Sequence, residues 1–302
     1  MACFRPIDVW PAAPPEKGFV FSSKRSYSGA IASSIPCGKC IGCRISRQDE
    51  WRTRLILEAS MHEANSFVTL TYAPEHLPED YSLSKRHLVT WTKRLRRVLE
   101  PLTIRFFACG EYGGKHLRPH YHAIIFGYDF PDRTPWRTSA SGLLCYRSAL
   151  LERTWNLGHC EVGSFTPESA GYVAGYSLKK MTGEAAKDHY QRMNPETGEI
   201  HQVIPEFVLM SRNPGIAANW YRDNARDAFP SDFLIIDGRK KPVPRYFKRM
   251  LDKQDELTSL KVSAARKARG RLPSRDKGWE AHLRREEFAE YRAAQRKPKE
   301  LD

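Results

Sequence analysis

The sequence predicts an α+β protein, a central antiparallel sheet with flanking helices, extended at its C-terminus by a charged tail. Three observations predict it. Strand-like and helix-like segments are mixed along residues 51–180, as in a sheet covered by helices. The two central strands are joined by a short turn rich in Gly, Lys and Pro, which makes them an antiparallel hairpin. After about residue 238 the composition shifts: residues 261–302 carry 13 Lys or Arg and 7 Asp or Glu with few apolar residues. The expected organisation is one large domain over residues 1–235 and a basic, partly disordered or helical tail over 236–302.

The elements follow in order. Residues 36–43 read Pro-Cys-Gly-Lys-Cys-Ile-Gly-Cys, a Gly-containing loop. Trp51, Leu55, Ala59 and His62 then recur at helical spacing and predict a helix with a core face. Residues 66–72, Ser-Phe-Val-Thr-Leu-Thr-Tyr, alternate as a strand. Ser84 is a suitable cap for a helix ending near Leu99, with Leu88, Trp91, Leu95 and Leu99 on one side. Lys85, Arg86, Lys93, Arg94, Arg96 and Arg97 fill its other surface, either to track a phosphate backbone or simply to be solvated. Strands at 104–111 and 120–126 form the hairpin, and Pro167 with Glu168 opens another helix. A charged helix near 279–296 closes the series.

The chemistry sits on the hairpin. Side chains on a strand alternate faces, so His120 and His122 point the same way about 6.6 Å apart. Two imidazoles on a rigid strand are suited to one divalent ion. The turn brings Glu111 near His120. It is either a third ligand or a solvated turn carboxylate bonded to turn amides. A carboxylate with two imidazoles leaves positions open for water and substrate oxygen, which suits Mg²⁺ or Mn²⁺ and admits Zn²⁺.

On the helix opened by Pro167, Tyr172 and Tyr176 are four residues apart and share a face, with Lys179 and Lys180 one turn further. A phenol becomes a nucleophile when a cation favours its phenolate. The alternative is an aromatic stripe packed into the core. Gly175 between the tyrosines weakens the helix by about 1 kcal/mol.

Charge and cysteines narrow the class. Forty-nine Lys and Arg against 35 Asp and Glu give net +14 and a pI near 9.5, a surplus that favours a polyanion, nucleic acid first. No apolar run reaches transmembrane length and the N-terminus lacks a signal-peptide core, so a membrane partner is not expected. No Walker A run is present, which argues against an ATP-driven helicase in this chain. Seven cysteines, an odd number, fit a reduced cytoplasmic setting. Cys37, Cys40 and Cys43 have the spacing to share a structural Zn²⁺, with Cys3, His62 or Cys109 as the fourth ligand. Otherwise they are buried free thiols.

His120-x-His122 followed by Tyr172-Val-Ala-Gly-Tyr176-Ser-Leu-Lys179-Lys180 resembles the two-tyrosine HUH endonucleases, rolling-circle replication initiators. Phe67–Tyr72 is similar to the first motif of that superfamily, and the three motifs stand in the family's order. With the Pro36–Cys43 segment, the likeness is to initiators of gokushovirus-type microviruses and covers roughly residues 36–185.

The resemblance implies a sheet of about five strands with the histidines on a central one. It implies His120, His122 and Glu111 as metal ligands, Tyr172 and Tyr176 as nucleophiles and Lys179 as their helper. It implies a nickase and strand transferase, linked to the 5′-phosphate of its cut through tyrosine, that acts on single-stranded DNA and a double-stranded origin in the cytoplasm of a bacterial host. A host helicase and DNA polymerase would complete the task. Competing readings are a plasmid relaxase or transposase of the same chemistry, a non-catalytic zinc-knuckle DNA-binding protein, and a metal hydrolase in which the same triad activates water.

Overall fold

Strict alternation of side chains along three neighbouring strands divides the protein's core in two. The computed structural model describes residues 3–114, 116–139, 142–176, 184–194, 197–271 and 278–295. In chain order the strands and helices begin with β1 (Ile7–Pro11), β2 (Phe19–Val20), β3 (Ser33–Ile35), α1 (Ile41–Ala59), β4 (Asn65–Thr71), α2 (Lys85–Leu99), β5 (Arg105–Tyr112) and β6 (Pro119–Phe126). They continue with β7 (Thr134–Thr138), β8 (Leu144–Arg147), α3 (Ala149–Trp155), β9 (Cys160–Ser164), α4 (Pro167–Tyr176), α5 (Ala185–His189), β10 (Gln191–Met193), β11 (Ile200–Gln202) and β12 (Phe207–Met210). The last are α6 (Ala218–Ala228), β13 (Phe233–Ile236), β14 (Arg239–Pro242), α7 (Arg245–Gln254), α8 (Glu256–Arg271) and α9 (Trp279–Gln295).

The main sheet has seven strands in the order β12-β5-β6-β4-β9-β8-β7, and every neighbouring pair is antiparallel. The antiparallel sheet with flanking helices expected from the sequence is therefore present, but it has seven strands, not five. The additional strands β7, β8 and β12 are only four or five residues long, too short for alternation to reveal.

On β4, β5 and β6 the residues Val68, Leu70, Phe106, Ala108, Tyr121, Ala123 and Ile125 face one way, into a core closed by Leu88, Trp91, Leu95 and Leu99 of α2 and Leu151 and Trp155 of α3. Their neighbours Phe67, Phe107, Cys109, Ile124 and Phe126 face the other way, against Leu55 and Ala59 of α1 and Ala170, Val173 and Ala174 of α4. Burying each large apolar side chain contributes about 1.5–3 kcal/mol, so both faces are firmly held.

The α2 helix behaves as its pattern predicts. Ser84 Oγ accepts the His87 N–H at 3.3 Å and caps it, while Leu88, Trp91, Leu95 and Leu99 are buried. The six basic residues of this helix are all exposed. Two of them also serve the fold: Arg94 donates to Asn156, and the Arg96 guanidinium lies 5.3 Å from the Phe106 ring centroid. The helix α1 starts earlier than expected, at Ile41, and ends at Ala59, so Cys43 is helical rather than in a loop and His62 lies beyond the helix.

Gly158, in the turn between α3 and β9, has φ +150°, and a Cβ there would fall 2.2 Å from Ala73 N and 2.5 Å from Thr71 O. Both contacts are backbone held in place by hydrogen bonds, Ala73 N–H to Leu157 O at 2.8 Å and Thr71 N–H to His159 O at 2.9 Å. Gly158→Ala is expected to destabilise the protein by about 2 kcal/mol, read as a fall of several degrees in Tm; an unchanged melting curve would show the turn to be yielding.

The chain divides into two compact units, one of Met1–Arg47 with Arg266–Pro298 and the other built on Gln48–Ala265. The first holds the three-stranded sheet β2-β1-β3 and α9. The second holds the seven-stranded sheet and a further cluster in which Tyr221, Leu234, Phe247 and Leu251 pack together.

Candidate metal centre and tyrosine helix

Pairing within the hairpin sets the site. Glu111 on β5 stands directly opposite His120 on β6, and His122 is opposite Cys109 on one side and Thr69 of β4 on the other. Because side chains alternate, Glu111, His120 and His122 continue the apolar row of Phe107, Cys109, Ile124 and Phe126 toward the end of the sheet. They lie on the face covered by α1 and α4. The sheet thus changes from a packed core to a polar triad within two residues.

Glu111 is 2% exposed and His122 1%. Both imidazoles converge on one carboxylate oxygen: Glu111 Oε1 is 2.9 Å from His120 Nε2 and 2.7 Å from His122 Nε2. Burial pushes the Glu111 carboxyl up, but hydrogen bonds and charge from both histidines outweigh it and hold the group at about 2. The carboxylate is therefore ionised throughout the ordinary pH range.

The donor set fits a divalent cation. His120 Nδ1–H donates to the Arg118 carbonyl at 3.1 Å, so the neutral ring presents the Nε2 lone pair to an oxygen that also carries lone pairs. Two acceptors in such contact need a proton or a cation between them. Adjacent ligands of an octahedral ion with bonds of about 2.1 Å stand about 3.0 Å apart, close to the separations seen here. His122 Nδ1 lies 3.0 Å from Thr69 Oγ1, which fixes the ring's rotation. Sequence reasoning missed Thr69, although its place two residues after Phe67 put it on the same face. Thr69→Val is expected to weaken divalent-ion affinity about 10-fold, the lower end of the range for groups that orient a ligand, by calorimetric titration; undiminished affinity would show that Thr69 does not orient the ring.

The tyrosine helix is fixed at its first turns. Thr166 Oγ1 accepts the Ser169 N–H at 3.1 Å and Ser169 Oγ accepts the Thr166 N–H at 2.8 Å, a reciprocal cap. From α1, Arg52 Nε donates to Pro167 O at 3.0 Å and Gln48 Nε2 to Gly171 O at 2.8 Å. A Cβ at Gly175 would lie 2.8 Å from Gln48 Nε2. The glycine that weakens the helix in isolation is thus what lets it approach α1.

Tyr172 packs edge-on to His122, with ring centroids 5.2 Å apart at 81°, and against Phe67 at 6.2 Å and 78°. Phe67 in turn stacks on His122 at 5.4 Å and 17°. Tyr176 ends α4, and Lys179 lies outside the described residues. On the opposite face burial pushes the Tyr72 and Tyr121 phenols up, Tyr121 to about 12, so neither supplies a phenolate. A cavity of about 90 Å³ opens beside Phe67 and Thr69, lined also by Tyr146, Glu161 and Ser169.

The cysteine segment forms a second cluster, in the first unit. Cys37, Cys40 and Cys43 are joined by Cys3. Of the three fourth partners expected, His62 instead contacts Glu58 at 3.3 Å and Cys109 is buried in the β5 core row.

The family model for the phage replication-associated protein ORF2 matches residues 65–181, a span holding β4, Glu111, both histidines and both tyrosines. The chain is 32% identical over 279 residues to replication-associated protein ORF2 of Spiroplasma virus 4, covering 85% of this chain and 83% of that one. It is 31% identical over 257 residues to replication-associated protein VP4 of Bdellovibrio phage phiMH2K, covering 82% and 76%. Replication-associated protein ORF4 of Chlamydia phage 1 is 27% identical over 226 residues, covering 72% of this chain and 54% of that one. No solved structure matches the chain. Among the described residues, no helix is long and apolar enough to cross a membrane. The likeness takes in most of the sequence, and the chain belongs to the family of microvirus replication-associated proteins.

Proposed function

We propose that this protein initiates rolling-circle replication of a single-stranded DNA phage by cutting and rejoining the origin through tyrosine. The observation that carries the proposal is the seating of Tyr172 against His122, on a helix pinned to α1 beside a buried carboxylate and two imidazoles. A Mg²⁺ or Mn²⁺ ion bound by Glu111, His120 and His122 would neutralise charge building on the scissile phosphate.

Tyr172 attacks phosphorus. The bond from its phenol oxygen forms, the bond to the 3′ oxygen breaks, the phenolic proton passes to solvent and the leaving 3′ oxygen takes one up. The 5′-phosphate stays on the protein as a tyrosine ester while a host polymerase extends the 3′-hydroxyl. Lys179 is assigned to the phosphate. Tyr176, one turn along, makes the second cut. The new 3′-hydroxyl then attacks the first ester, restores the phenol and closes the circle without ATP.

Two nucleophiles suit this alternation, because one end must be held while the next is cut. Unwinding is left to a host helicase, in the cytoplasm of a bacterial host, since the sequence carries no Walker A run. We assign the chemistry to residues 1–235 and additional DNA affinity to the basic residues of 236–302.

The test is a denaturing gel of protein incubated with Mn²⁺ and labelled single-stranded origin DNA. A metal-dependent covalent adduct is expected, retained in part by Tyr172→Phe or Tyr176→Phe and lost when both are changed. Cut DNA without an adduct would instead make water the nucleophile, as in a metal hydrolase. Bound but intact DNA would favour a binding protein.

A further inference from the structure

The first unit has little else to hold it. Its strands are five, two and three residues long. Among its described residues the buried apolar side chains besides cysteine are Phe4, Val9, Val20 and Ala281. A unit of this size with so small a core needs a covalent or metal staple.

The four thiols supply one of the right dimensions. Cys3 Sγ and Cys40 Sγ are 3.8 Å apart, and Cys37 Sγ and Cys43 Sγ 4.0 Å. All four sulfurs lie within 4.8 Å of one another. A tetrahedral ion with sulfurs at about 2.3 Å holds them about 3.8 Å apart, whereas a disulfide draws two sulfurs to about 2.05 Å. Backbone amides point at the sulfurs as they do toward thiolates: Cys37 N–H to Cys3 Sγ at 3.2 Å, Cys40 N–H to Cys37 Sγ at 3.3 Å, Phe4 N–H to Cys40 Sγ at 3.4 Å. The four residues come from the N-terminus, the Cys37–Cys40 turn and the first turn of α1. They also sit where the unit closes: Phe4 and Ala289 of α9 pack on them, and Arg5 is 2.8 Å from Glu286 of α9.

We propose that Cys3, Cys37, Cys40 and Cys43 bind one structural zinc ion that fastens the N-terminus and the start of α1 into a single unit. Cys3 is the ligand that the Cys-x₂-Cys-x₂-Cys spacing alone does not identify. Zinc, without redox chemistry, suits a closed four-sulfur site, and the site stands apart from the step assigned to tyrosine.

The test uses the full chain carrying His120→Ala and His122→Ala, so that the carboxylate–imidazole cluster does not contribute metal. After dialysis, elemental analysis is expected to find one zinc per chain. Cys3→Ser should lower retained zinc at least about 10-fold, while Cys145→Ser, outside the cluster, should leave it unchanged. Should Cys3→Ser not fold, the unmodified chain refolded with Co²⁺ gives an independent reading: the intense near-ultraviolet thiolate-to-cobalt band with tetrahedral visible bands is expected. Full zinc in Cys3→Ser would remove Cys3 from the site. Bound iron with visible colour would overturn zinc, and a chain that retains no metal and shows no cobalt–thiolate band would overturn the site.

Discussion

His122→Ala is expected to lower nicking at least about 10³-fold, some 4 kcal/mol of transition-state stabilisation, while most single-stranded DNA affinity is kept. Two effects combine. The triad loses one of three donors to its ion, and Tyr172 loses the ring it packs against at 5.2 Å. Binding is spared because a chain of net +14 draws most of its DNA affinity from phosphate contacts spread over many side chains. Adduct formation and fluorescence anisotropy, measured side by side, separate the two quantities. The variant also opens a cavity, so its melting temperature is needed as a control, and His122→Gln, nearer in volume, should show the same loss of nicking. Normal adduct formation in either variant would sink the metal assignment.

Replacing Glu58 is expected to give the largest loss of stability, about 3–5 kcal/mol for Glu58→Ala. Glu58 lies on α1 and is 3% exposed. One carboxylate oxygen accepts from Arg105 Nε on β5 and lies 3.3 Å from His62 Nε2, and the other accepts the Ala217 N–H at the start of α6. Removing it leaves Arg105, 12% exposed, without its carboxylate.

Burial raises the Glu58 carboxyl, but hydrogen bonds from His62 and Ala217, with the charge of Arg105, prevail and hold it below its ordinary value. A folded value below the unfolded one gives stability that is fully present above the unfolded value near 4.3 and is lost as pH falls through the folded one. Glu58→Gln should therefore flatten the acid limb of the stability curve. Urea unfolding across that range checks it; an unaltered slope would show that another carboxylate governs acid unfolding.

How much of this was legible in the sequence differs from element to element. The convergence of Glu111, His120 and His122 follows from two rules, period-two alternation and a short hairpin turn, and both are local. The core face of α2 was equally plain, since Leu88, Trp91, Leu95 and Leu99 recur over three turns. The gathering of Cys3 with Cys40, 37 residues away, and the three contacts of Glu58 depend on chain reversals that no local pattern encodes. Thr69 lay between: its face was implied, its partner was not. Strands β7, β8 and β12 escaped because four or five residues, one of them Pro135, give too short a pattern. The reciprocal cap of Thr166 and Ser169 also escaped, because serine takes the place usual for Glu or Gln in such caps.

The short outer strands have a consequence for how copies of the chain meet. A sheet edge presents unpaired amides to any passing strand and invites polymerisation. One edge here, β7, carries Pro135, which has no N–H to offer, and its pairing shifts register between Pro135 and Arg137. At the other, β12 offers four residues. Neither end is a template for endless addition, so a crowd of these molecules gathered on one DNA circle can be dense without fusing into fibres.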